Sequence, residues 1–570
     1  MRIEEKFLDI VKENEKEIAL KSDKEGQMTY GELNSKAEAV AEKIRKIDTD
    51  VVGVCIERSF NLIIGILAVL KAGKAYLPLD SSYPKERLEY MITSAKVETV
   101  ICSASTRGFF SCNVFEIEKN IVINNQVECS NRMNDIAYIL FTSGSTGNPQ
   151  GVPIKHESIM NTINWRINYY GLNIDDVVMQ IPSISFDSSV EDIFCTLLSG
   201  GTIFMLSETN RMDVKYLCNV IEKEKITHFL IVPSFYKIIL NNLKGKNYLR
   251  FVVVAGENFT MELVEEHYTK LKEVKLFNEY GPTENSVCSF VHRINRFDKE
   301  VLIGRNIDNV KFRIDYIDED CGELLLAGIG LTQGYINASE ENKKRFVHID
   351  GEMYYRTGDI VKTVNTGELK FCGRIDQQIK INGMRFDLNE IDAILRKTEF
   401  VQNCYTVVCQ KEEQKFIVTF YVSDQNCEKK VLEDILSKKI PIQFIPKEFL
   451  EVDSFTYLPN GKVDIRALIT RFETFNNKIA GNVKSRESDD DKLKKETICR
   501  IDKLLQKYLN RSLEQHEYEI DIRKIGIDSL NYIHFLVDIE EEFEFEFGYD
   551  DIDNFNVMSV IELEKYINSH

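Results

Sequence analysis

No two of the 13 cysteines form a Cys-x-x-Cys pair, and Cys404 and Cys409, the closest together, have no histidine at zinc-ligand spacing nearby. They read as small buried hydrophobes, and an odd count suits a reducing compartment. The longest apolar run, Leu62–Leu70, falls far below the ~20 residues that span a bilayer. The first twenty residues, MRIEEKFLDIVKENEKEIAL, are charged and helix-periodic, unlike a secretory leader. A cytoplasmic protein with no membrane partner is expected. Cations are also scarce: 72 Lys+Arg face 91 Asp+Glu, a net charge of −19. That balance argues against a chain built to grip nucleic acid, although a few local donors suffice for one nucleotide. Internal repeats are absent, and the one biased tract is EEEFEFEFG from Glu540.

What remains is a folding composition, 43% hydrophobic and 29% charged over 570 residues. At about 100–200 residues per domain this predicts three or four domains. Between residues 30 and 360, valine-rich runs at Val51, Ala75, Val97, Thr227 and Phe251 alternate with helical patterns. Short apolar runs of this kind predict buried parallel strands joined by helices, an α/β body. From Arg374 to about Thr470 a smaller α+β unit follows, with a strand from Phe416 and a helix at KKVLEDILSKK. A polar stretch around NNKIAGNVKSRESDDD then reads as a linker. The last ~75 residues are helical and acidic. From Asp521 onward 3 Lys/Arg stand against 13 Asp/Glu, a local charge of −10. The boundaries drawn are 1–375, 376–470, 471–492 (linker) and 493–570.

The densest chemical signal is ILFTSGSTGNPQGV, Ile139–Val152. Glycines (Gly144, Gly147, Gly151) and hydroxyls (Thr142, Ser143, Ser145, Thr146) follow an apolar strand and precede the helical IKHESIMNTINW. Glycines let backbone N–H groups turn toward an anion, so the loop reads as a phosphate cradle. It lacks the Gly-Lys-Ser/Thr of a Walker loop.

This loop resembles the signature of the adenylate-forming superfamily. Further segments match in order: MTYGELN at Met28, LKAGKAYLPLD at Leu70, ISFDSSVEDIF at Ile184, NEYGPTEN at Asn278, GELLLAGIGLTQGY at Gly322, YYRTGDIV at Tyr354, GRIDQQIKINGMRFDLNEID at Gly373 and LPNGKVD at Leu458. Together they cover nearly the first 470 residues and are most similar to an adenylation domain of nonribosomal peptide synthetases. IGIDSLNYIHF at Ile525 is an ordinary helix N-cap on its own. In an acidic helical tail it resembles a peptidyl carrier domain, with Ser529 as the 4′-phosphopantetheine attachment site. The fold implied is a large α/β subdomain, a small α+β subdomain and an all-α four-helix carrier bundle.

The resemblance implies ATP, Mg²⁺ and phosphopantetheine as cofactors and carries roles onto residues. Tyr280, beside Gly281, offers a flat ring to adenine, and Asn278 its amide to the adenine edge. Glu284 is the Mg²⁺ ligand, a hard oxygen donor, and Thr283 a phosphate donor. Gly256 and Glu257 join the nucleotide site. Asp359 accepts the ribose hydroxyls and Arg374 follows it. Lys462, with Thr142 and Glu284, is the catalytic set, the lysine stabilising charge as it builds in the transition state. Asp376 matches the hinge about which the small subdomain turns. Asp187 pairs with a substrate α-ammonium, which implies an α-amino acid. The pocket positions are Ser188, Glu191, Leu230, Val253, Ala255, Glu279, Val287 and Cys288, together with Lys462.

Two features leave the reading open. Glu191 and Glu279 put two carboxylates in an otherwise small, apolar pocket. A buried carboxylate without a partner is costly, which favours a cationic or N–H-bearing side chain such as ornithine or lysine. The Leu/Val/Ala/Val background resembles proline-type pockets instead. The family loop reads Pro-Lys-Gly where this chain has Pro149-Gln150-Gly151, and Asn382 and Asn389 replace a usual Arg and Gly. Gln150 keeps a weak partner-binding scaffold in play, and an acyl- or aryl-CoA ligase is the other alternative. The partners implied are a phosphopantetheinyl transferase and a downstream tailoring or condensation enzyme acting in trans.

Overall fold

Valine and isoleucine runs too short for helices, each closed by a turn residue, form the strands of the body. The computed structural model describes residues 1–117, 134–144, 147–244, 247–376, 378–381, 384–411, 414–423, 429–452, 454–456, 463, 465, 468–472, 489–509, 513, 518, 522, 525, 527, 529–543 and 559–567. The chain divides into two compact units, Met1–Glu390 and Ile391–His570.

Among the described residues the first unit holds four larger sheets and one two-stranded sheet. One has six strands in the order Asn113–Glu116, Thr99–Cys102, Val51–Cys55, Ala75–Pro78, Ile136–Thr142 and Gln150–Lys155. It is parallel except for its last pair, Ile136–Thr142 with Gln150–Lys155, which is antiparallel. A second sheet runs Gly26–Thr29, Ile18–Ser22, Thr202–Met205, Val177–Gln180. A third runs Leu230–Ile231, Phe251–Ala255, Lys275–Tyr280, Phe290–Ile294, Arg305–Asn306. The helix Phe60–Lys71 contains the longest apolar run of the sequence and is buried from Leu62 to Lys71. A helix apolar on every side belongs inside the core. Among the described residues no helix is long and apolar enough to cross a membrane.

The strands expected at Val51, Ala75, Val97, Thr227 and Phe251 are present, and they pair in parallel. The fourth sheet departs from the parallel α/β expectation. Val310–Tyr316, Cys321–Gly328, Phe346–Ile349, Glu352–Thr363 and Leu369–Arg374 pair antiparallel throughout. Lys311, Phe312 and Arg313 on its edge are exposed, and a sheet wetted in this way needs no helical cover. A hairpin, Gln378–Ile381 with Met384–Asp387, follows.

The second unit opens with a three-stranded sheet, Asn403–Lys411, Gln414–Val422 and Glu448–Glu451, and the helix Lys429–Ser437. Its later helices Asp489–Leu509, Ser529–Phe543 and Val560–Ile567 share a separate core that includes Ile501, Leu505, Phe535, Ile539, Val560 and Leu563. Most of the stretch read as a linker lies outside the described residues.

Candidate active site

The strand Ile136–Thr142 ends at the glycine-rich loop, and Gln150–Lys155 returns antiparallel, with Thr142 opposite Gln150. A Cβ on Gly144 would lie 2.2 Å from the Asn148 carbonyl oxygen, so only glycine lets the loop close this tightly. Gly147 holds a left-handed φ of +86°. The Gln150 side chain packs against Gly144, where the family carries a lysine. Ser143 is buried and donates its hydroxyl to the Arg385 carbonyl at 3.3 Å. Ser145 and Thr146 lie outside the described residues, as does Lys462.

Beside the loop, the end of Lys275–Tyr280 and the turn after it supply the next groups. Tyr280 donates its hydroxyl to Asp359 Oδ2, and Arg374 Nη1 donates to Asp359 Oδ1. Strand pairing sets this up, because Asp359 stands directly opposite Arg374 in register. Arg374 also holds Asp376, with Nε to Oδ1 at 2.7 Å, and Arg345 Nη2 reaches Asp376 Oδ2 at 3.0 Å. Burial would raise the Asp376 carboxyl, but the two arginines outweigh it and hold it below the usual carboxylate range. The residue expected as a hinge is therefore clamped between two guanidinium groups. Asn278 donates to the Leu302 carbonyl at 2.8 Å. It lines a cavity of about 270 Å³ together with Glu257, Phe259, Met261, Ile303 and Phe371. Gly256, just before Glu257, is left-handed at φ +89°.

Glu284 departs from its expected role as an open metal ligand. It is fully buried; Oε1 accepts from Tyr335 at 2.6 Å and Oε2 from Arg385 Nη1 at 2.9 Å. Burial would raise its carboxyl, yet Arg385 and Tyr335 hold it below the ordinary range. Both oxygens are matched and a guanidinium stands alongside, so in this arrangement the carboxylate fits Arg385 rather than a divalent cation. Arg385 belongs to the hairpin and also donates to the Tyr355 hydroxyl at 3.1 Å.

Asp187 occupies the N-cap of the helix Ser188–Leu197 but makes no capping hydrogen bond; its carboxylate accepts from Thr283 Oγ1 at 2.6 Å instead. That helix carries Ser188 and, one turn beyond Asp187, Glu191. Parallel pairing sets Leu230 opposite Val253 and Ala255 opposite Glu279. A Cβ on Gly281 would strike the Val287 carbonyl. Ser286 and Val287 are both left-handed (φ +56° and +74°), and Val287 is β-branched. Such strain persists only where the surroundings enforce it, and Val287 and Cys288 are both buried.

Several residues beside the candidate site escaped sequence reasoning, Arg345 and Arg385 among them. Arg166, on His156–Tyr170, is buried and its Nη1 lies 2.5 Å from Glu191 Oε2 and 2.6 Å from Glu279 Oε2. Glu191 and Glu279 therefore share a partner from within the protein. A lone arginine inside an apolar-periodic helix was the available signal. Ser529 is the first residue of the helix Ser529–Phe543.

The sequence model of the family described as AMP-binding enzyme matches residues 7–336. Bacitracin synthase 3 of Bacillus licheniformis is 39% identical over 463 residues, which is 78% of this chain and 7% of that protein. The chain thus spans a small part of the curated relatives it matches. An artificially fused adenylation–PCP di-domain from Klebsiella oxytoca superposes with a TM-score of 0.69 at 25% identity, covering 79% of this chain and 93% of the other. A holo nonribosomal peptide synthetase protein containing adenylation and PCP domains, bound to a vinylsulfonamide inhibitor, has a TM-score of 0.82. It is 21% identical and covers 100% of this chain and 97% of its own.

Proposed function

Because the chain belongs to the AMP-binding enzymes and is an AMP-forming ligase, we propose that it activates an α-amino acid as the aminoacyl-adenylate and passes it to a phosphopantetheine thiol on its own Ser529. In the first step a substrate carboxylate oxygen bonds to the ATP α-phosphorus and pyrophosphate leaves. In the second, the thiol sulfur bonds to the acyl carbon and AMP leaves. Both steps depend on positioning more than on acid–base chemistry.

The observation that carries the amino-acid reading is the Asp187 carboxylate, which is held by Thr283 and not spent on capping its helix. A carboxylate at this position carries the charge that complements an α-ammonium group. Asp359, backed by Arg374 and Tyr280, is the acceptor we assign to the ribose. Lys462 is assigned the transition-state charge. The carrier reading rests on Ser529 opening a helix of a small acidic helical core, and on fold likeness along the whole chain to a protein with adenylation and PCP domains. We assign 1–375 and 376–470 to the two adenylation subdomains, 471–492 to a linker and 493–570 to the carrier. The loaded thioester is handed in trans to a condensation or tailoring enzyme in the cytoplasm, after a phosphopantetheinyl transferase has primed Ser529.

Amino-acid-dependent ATP–pyrophosphate exchange tests the reading. Exchange driven by one dominant amino acid and lost in Lys462→Ala is expected. Exchange that ignores every amino acid and proceeds only with fatty or aryl acids would overturn it.

A further inference from the structure

The helix His156–Tyr170 buries two residues one turn apart, Arg166 and Tyr170, the guanidinium carbon lying 5.3 Å from the tyrosine ring centroid. Between them they use up Glu279: Tyr170 Oη donates to Oε1 at 2.6 Å and Arg166 Nη1 reaches Oε2 at 2.6 Å. Glu191 is only half matched. Its Oε2 lies 2.5 Å from Arg166, while Oε1 is buried without a hydrogen-bond partner, and the whole residue is 0% exposed. One guanidinium against two carboxylates leaves an excess negative charge inside the protein.

The cluster has a definite place. Glu191 follows Asp187 by four residues on one helix, a separation of about 6 Å along the axis. Glu279 lies at the end of the strand that leads to Thr283, the residue holding Asp187. A ligand whose α-ammonium meets Asp187 therefore reaches the cluster with its side chain. The oxygens of Glu191 and Glu279 and the Cys288 sulfur lie within 4.8 Å of one another, a spacing that would suit a metal ion. Arg166 already sits on both carboxylates, so a second cation here must be one that forms directional N–H bonds at a single oxygen.

We propose that Arg166 sets the charge of the side-chain pocket, neutralising Glu279 and reserving Glu191 Oε1 for an amino acid whose side chain ends in a cationic N–H donor four or five bonds from its α-carbon. This rests on the amino-acid adenylation reading and decides between the two substrate classes that the sequence left open. A cationic N–H supplies both the missing hydrogen bond and the missing charge. Without it, burial raises the Glu191 carboxyl well above its ordinary range, against the pull of Arg166, and the group relieves the excess charge by keeping its proton. A proline-like side chain offers neither donor nor charge.

The test is pyrophosphate exchange by the full chain with lysine and ornithine, their neutral counterparts norleucine and norvaline, and proline. A preference in kcat/KM for the cationic acids of about 100-fold or more is expected, since a charged hydrogen bond to a buried group carries discrimination of that order. Glu191→Gln keeps the shape and should cut the preference by about 10-fold or more. Glu279→Gln leaves Glu191 intact but gives Arg166 one carboxylate to serve, and should weaken the same preference, an effect that loss of packing alone would not produce. Melting temperatures near wild type would confirm that both variants fold. Preference of the wild type for norleucine, norvaline or proline, or a ratio unmoved in Glu191→Gln, overturns the inference and leaves adenylation standing. Silence with all five acids overturns this inference, and exchange then found with another amino acid leaves the adenylation reading standing.

Discussion

Arg385 and Glu284 form a buried ion pair, Nη1 to Oε2 at 2.9 Å, between the hairpin that follows Asp376 and the turn that follows Tyr280. It ties the glycine-rich loop to the hairpin as well, because Ser143 donates to the Arg385 carbonyl. With Tyr335 on the other oxygen, the pair leaves the Glu284 carboxylate matched from within the protein.

Removing one partner strands the other. Arg385→Gln should lower the unfolding free energy by about 3–5 kcal/mol, the usual result of leaving a buried charge uncompensated. Arg385→Gln combined with Glu284→Gln should recover most of that loss. Urea unfolding of the two single variants and the double variant, read as a double-mutant cycle, checks this. A double variant no more stable than Arg385→Gln would argue that the pair is not formed.

Asp359→Asn keeps the size of the side chain but removes the charge that binds Arg374 and faces Tyr280. With the ribose role proposed for Asp359, ATP should bind about 10–100-fold more weakly to this variant. Titration with a fluorescent ATP analogue gives the number, and unaltered binding would remove Asp359 from the nucleotide site.

His267 is fully buried, with its ring between the Tyr236 hydroxyl and the Val274 carbonyl. Burial, partly offset by the Val274 hydrogen bond, lowers its pKa to about 4. The folded state thus favours the neutral ring, and the unfolded chain takes up the proton more readily below about 6.5. Stability from this group is therefore full above about pH 6.5 and is lost as the pH falls toward 4. Melting temperature against pH should drop over that window, and less steeply in His267→Gln.

Incubation with a phosphopantetheinyl transferase and coenzyme A should add one phosphopantetheine to the intact chain, seen by mass spectrometry, and none to Ser529→Ala. Addition to both would place the attachment elsewhere.

The α/β body was legible because valine-rich runs such as Val51–Cys55 and Phe251–Ala255 carry their own period. The antiparallel sheet of residues 310–374 was not, since Val310–Tyr316 mixes exposed charge with apolar residues and reads as no clear strand. At the site, Asp359, Arg374, Asp187 and Tyr280 sit in local motifs and could be found one by one. That Tyr280 and Arg374 both hold Asp359 depends on strand register, which no motif states. Arg166 belongs to no motif: it lies 25 residues from Glu191 and 113 from Glu279.

The sequence by itself determined the family and the glycine-rich loop, because these depend on residue type at short, fixed spacing. Only the tertiary structure decided which charges cancel. Burial makes an unmatched carboxylate expensive, so each must find its partner through space. Glu284 found Arg385, and Glu279 found Arg166. Glu191 was left with one oxygen to offer.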